Sequence, residues 1–128
     1  PEARASQAIL DWMSDRLSHI QWGTGTKVAI AHGILPGFAS TRLVSVGSDG
    51  GIVIQLDHLK KTTAFETEET RDQLVNEINE TTGAKVSLRQ GRSVGMGMAS
   101  VRDLINNKTT NDFLAVLERA VKKVEEAG

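Results

Sequence analysis

The chain has no cysteine among its 128 residues. That excludes a disulfide framework, a thiolate nucleophile and a sulfur metal ligand, and it fits a reducing compartment. Aromatic residues are scarce at 4%, so a core has to come from Val, Ile, Leu, Ala and Met. No apolar run approaches the ~20 residues that cross a bilayer, and no charged–apolar–small leader opens the chain. These absences set the expectation of a cytoplasmic protein with no membrane partner. An initiator methionine is missing too. Pro1-Glu2-Ala3-Arg4 reads as a cut, so residues 1–128 are expected to be a single α+β domain excised from a longer intracellular protein. That length suffices for one ordinary domain with a real core.

Acids are missing from particular stretches. None stands between Arg16 and Ser48, where Arg16, Lys27, Arg42, His19 and His32 do. Eight acids then occupy Asp49 to Glu80 against Lys60, Lys61 and Arg71. They vanish again from Ala84 to Arg102, which holds Lys85, Arg89, Arg92 and Arg102. The net charge of −1 therefore conceals a segregation that predicts a two-signed surface.

Periodicity supplies the elements. Ile9, Trp12, Met13, Arg16, Leu17 and Ile20 recur at helical spacing and predict an amphipathic helix over 4–20. Gln21–Thr26 (QWGTGT) reads as its break, and 27–32 as a strand. Pro36-Gly37 punctuates a loop over 33–40. Runs 42–46 and 52–56 flank Gly47-Ser48-Asp49-Gly50-Gly51, the strongest local hairpin signal. Thr67 with Glu68 and Glu69 marks a helix start. Leu74, Val75 and Ile78 form that helix's buried face, Gly83 its end, and the acids of 66–80 its solvated side. A strand is expected at 85–89, a short helix capped by Ser100 and running to Ile105, and a last helix from Thr110 or Asn111. The order αβββαβαα describes a mainly antiparallel four-stranded sheet with helices packed on it.

Motifs for chemistry are few. Gly25-Thr26-Lys27 lacks the first glycine of a P-loop and precedes a strand. Gly95-x-Gly97-x-x-Ser100 lacks the third glycine of a dinucleotide loop and its downstream acid. No Gly-x-Ser-x-Gly elbow occurs, and His19, His32 and His58 have no metal-ligand spacing. The reading leans away from an enzyme, and no motif implies a cofactor.

The favoured expectation is a non-catalytic binding module for a nucleic-acid backbone or another phosphate-bearing partner. Its ligand-binding residues would be Lys27, Arg42, Arg89, Arg92 and Arg102, with the backbone of Gly95 and Gly97, and Trp22 could stack on a base. A protein-interaction or homodimerisation domain is the alternative, because Phe113-Leu114 and Val116-Leu117 widen the last helix's apolar stripe. The element order is also similar to the core of the PD-(D/E)XK nuclease superfamily. That resemblance implies a divalent metal held by strand acids, the nearest here being Asp49 and Asp57. It covers topology alone: Asp49 falls in the hairpin turn, and Asp57 stands where the family has lysine.

Overall fold

The computed structural model describes residues 2–23, 30–48, 51–82, 87–88, 97–100 and 107–127. Helix α1 (Glu2–Arg16) leads into β1 (His19–Gly23), β2 (Ile30–Ile34), β3 (Arg42–Gly47) and β4 (Gly51–Ile54). One turn of helix, α2 (Leu56–Leu59), and a 3₁₀ turn (Thr63–Phe65) connect to α3 (Glu68–Thr82). Strands β5 (Ser87–Leu88) and β6 (Gly97–Ser100) follow, and α4 (Asn107–Ala127) closes the series. Every described strand pairing is antiparallel, in the spatial order β1-β2-β3-β4-β6-β5.

The α+β class and the antiparallel sheet are as expected, and the sheet is wider by two strands. The first addition is β1. The predicted first helix stops at Arg16 rather than at residue 20, because the Ser18 amide donates to Ile34 O at 3.0 Å and commits the chain to the sheet. Ile20 fits a helical repeat, yet Ile20-Gln21-Trp22 fits a strand's alternation equally well. The second addition is β6. Gly97 and Ser100 were expected in a loop and at a helix cap, but both lie in a strand that pairs Gly97 with Ile54 and Ser100 with Gly51. The last helix also begins earlier than Thr110, at Asn107. Gly83, Lys85 and the segment 101–106 lie outside the described residues.

The hairpin of β3 and β4 forms as expected, with Val44 opposite Ile54 and Val46 opposite Ile52. All four side chains are buried on the helix-covered face. Each such burial contributes roughly 1.5–3 kcal/mol. Gly33 of β2 lies beneath α1: a Cβ there would meet Leu17 Cδ1 at 2.5 Å and Met13 Cε at 3.0 Å. Pro36-Gly37 makes a turn in which Gly37 takes φ +85° and the Phe38 amide donates to Leu35 O. That left-handed position is the one a type II turn reserves for glycine.

Helix α3 starts where its cap predicts, with the Thr70 amide donating to Thr67 Oγ1 at 3.3 Å. Leu74, Val75 and Ile78 are buried, while Glu68, Glu69, Asp72 and Glu80 are exposed. Helix α4 packs against α1, α3 and the 3₁₀ turn. Phe113, Val116, Leu117, Ala120, Val121 and Val124 are all buried, and Leu114 packs beside them. The extra width of its apolar stripe is therefore used inside this chain, because α4 has neighbours on two sides. Ion pairs rim the packing: Arg16 with Glu118 at 2.7 Å and Glu125 at 2.5 Å, and Arg119 with Glu77 at 2.6 Å.

Candidate anion-binding site

A polar group occupies the sheet face opposite α1. His32 and Ser45 stand directly across β2 and β3, and alternation turns both away from the side that buries Ala31, Val44 and Val46. Ser45 Oγ lies 2.6 Å from His32 Nδ1. Gln55, just past β4, donates from its main-chain amide to Leu43 O at 2.9 Å and from Nε2 to Ser45 Oγ at 2.8 Å. Ser45 and Gln55 are 3% and 6% exposed. Each must satisfy its polar atoms within the protein. Gln55 donates to Ser45, which leaves the Ser45 hydroxyl to donate to a neutral His32. The far side of the imidazole lies over β1, where a Cβ on Gly23 would come within 3.3 Å of His32 Nε2.

Arg42 begins β3 next to this group. Between Gly33 and Ile34 the β2–β3 register shifts, so Ile34 pairs with Arg42 and Leu43 is the extra residue of a bulge. The Arg42 amide finds its acceptor in a side chain, donating to His58 Nδ1 at 3.1 Å. The α2 turn makes that contact available, burying Leu56 and Leu59 and leaving His58 beside the start of β3. That bond needs a free lone pair on Nδ1, so it holds His58 neutral.

Electrostatics binds these residues into one cluster. His32 is pushed below the ordinary imidazole pKa, first by burial, then by the charge of Arg42 and by the charge His58 would carry if protonated. His58 is lowered by burial, then by Lys61 and Arg42, with Asp57 opposing. Arg42 thus acts on both histidines. Among the described residues its guanidinium has no carboxylate ion pair. A cation beside two neutral imidazoles and Lys61 is a setting in which an anion would be welcome.

The Ser45–His32 contact superficially matches a nucleophile with its base. Ser45 is closed to a substrate by its burial, however, and its oxygen already accepts from Gln55. The trio is a polar support beneath the cluster. Among the described residues no three His, Asp or Glu side chains gather as a metal site would require. Asp57 lies on α2 rather than on a strand, and Asp49 is outside the described residues.

Of the residues predicted to bind ligand, the structure places Arg42 at the cluster and Gly97 in β6. Lys27, Arg89, Arg92, Gly95 and Arg102 lie outside the described residues. His19, expected at a helix end, instead opens β1. Trp22 is neither in a turn nor a lid on the core. It lies on the edge strand, 63% exposed. Its register partner is Ala31, which puts it on the helix side, whereas His32 opposes Gln21 on the other side. Sequence reasoning weighed His32 and His58 only as metal ligands, and it selected neither Ser45 nor Gln55 as a site residue. The legible signal was a serine inside the apolar run Leu43–Val46 and a glutamine closing the next run, two polar groups that a buried strand must pair.

Comparison with protein-family models, curated proteins and solved structures finds no match.

Proposed function

We propose that this chain is a non-catalytic binding module for a phosphate-bearing partner, with a nucleic-acid backbone favoured. One observation supports the reading above others. Arg42, without an acid partner among the described residues, stands beside His32, His58 and Lys61 on a polar sheet face. Backbone phosphates are recognised by such mixed sets of arginine, lysine and hydrogen-bonding groups. Lys27, Arg89, Arg92 and Arg102, with the backbone of Gly95, are the proposed remainder of the contact surface. The bonds from Gln55 to Ser45 and from Ser45 to His32 support the reading by fixing the imidazole on this face.

The test is binding of a fluorescent DNA duplex across salt concentrations. Five phosphate contacts, one each from Arg42, Lys27, Arg89, Arg92 and Arg102, predict an affinity loss of about 500-fold between about 50 and 200 mM salt. Arg42→Ala should weaken binding and reduce the magnitude of the salt slope by about one. No binding at low salt, or affinity indifferent to salt, would refute the reading.

A further inference from the structure

Strand β1 ends the sheet, and its outer edge pairs with no described strand. Natural edges are commonly guarded by charge, proline or a bulge. The sequence His19-Ile20-Gln21-Trp22-Gly23 has no lysine, arginine, acid or proline. At this same place stands Trp22, the one exposed large apolar side chain among the described residues. An unguarded edge and an uncovered tryptophan coincide.

We infer that β1 pairs antiparallel with β1 of a second copy of this chain, about a twofold axis through Gln21. The strand is self-complementary in that register. Gln21 faces the partner's Gln21, Ile20 faces the partner's Trp22, and His19 faces the partner's Gly23. The two Ile20–Trp22 contacts lie on the helix side, since Ile20 opposes Gly33 and Trp22 opposes Ala31 within each sheet. Aromatic–β-branched pairs directly across a ladder are among the more stabilising cross-strand contacts. No charge opposes its like, because β1 has no fixed charge, and the two glutamine amides can bond to each other. Trp22 is exposed because α1 leaves that part of β1 uncovered, and the partner's Ile20 and Trp22 would fill the space. A twofold perpendicular to the sheet makes an isologous, closed contact, which ends at two copies rather than growing into a filament. It also brings the Arg42-bearing faces of both copies to one side of a continuous sheet.

The absence of cysteine makes a clean test. In this register residue 21 meets itself, within the Cα separation a disulfide requires. Gln21→Cys should therefore give a covalent dimer under mild oxidation, about tenfold faster or more than Gln73→Cys on the exposed side of α3, because pairing raises the local concentration. Sedimentation of the unaltered chain should show a monomer–dimer equilibrium, weakened about tenfold or more by Trp22→Glu, as expected for a tryptophan at an interface centre. The highly exposed Trp22 leaves the fold of that variant intact, checked by circular dichroism. A chain that stays monomeric at every concentration overturns the inference. So does a dimer that survives Trp22→Glu, or a Q21C that links no faster than Q73C.

Discussion

At the residue scale, the informative positions are polar groups that burial forces to find partners. The Arg42 amide has His58 Nδ1 as its acceptor, so protonating that ring costs the bond. Both His32 and His58 are held below their ordinary pKa, with burial the first cause. The sign of the consequence follows from linkage. The unfolded chain takes up protons near the ordinary histidine value of ~6.5 while the folded chain resists. The stability these residues contribute is thus fully present above that value and is lost as pH falls through it. Urea midpoints should therefore drop between about pH 7 and pH 5, and by less in His58→Asn, whose amide oxygen can accept from Arg42 without titrating. An equal drop in that variant would remove His58 from the account.

At the element scale, the sheet depends on how closely α1 approaches β2. Gly33 sets that distance, since an added Cβ would lie 2.5 Å from Leu17 Cδ1. Gly33→Ala is expected to cost about 1–3 kcal/mol by overpacking, read from chemical denaturation. No loss would mean that α1 can shift without penalty. This scale also separates what was legible in the sequence from what was not. The β3–β4 hairpin was legible because its turn residues and alternation are local, and α3 because Thr67 and its acids mark a start. The strands β1 and β6 were not. Ile20 satisfies two periods at once, and Gly97–Ser100 has a composition that only a paired neighbour turns into a strand. The breadth of α4 was visible as a pattern, but whether it faced a second molecule or two helices of its own chain depended on packing.

At the scale of the whole molecule, α1 covers one face of the sheet, and the other carries a hydrogen-bonded polar group with Arg42 and the α2 turn beside it. Among the described residues no helix is long and apolar enough to cross a membrane. The charge segregation in the sequence foreshadowed part of this face. The acid-free stretch from Arg16 to Ser48 supplies β1, β2 and β3, and therefore both His32 and Arg42. What it could not show was that Ser45 and Gln55 would support the imidazole, because that needs the β2–β3 register and the exit of β4. The account's central claim is that this cluster receives an anionic partner. A bound phosphate would favour the protonated imidazoles, so binding should tighten as pH falls and should draw protons onto His32 and His58. The most direct measurement follows the imidazole NMR signals of the three histidines while a short DNA duplex is added at low salt. The account predicts that the His32 and His58 signals shift and titrate at higher pH in the complex. Signals of His32 and His58 that do not respond to saturating duplex would contradict it.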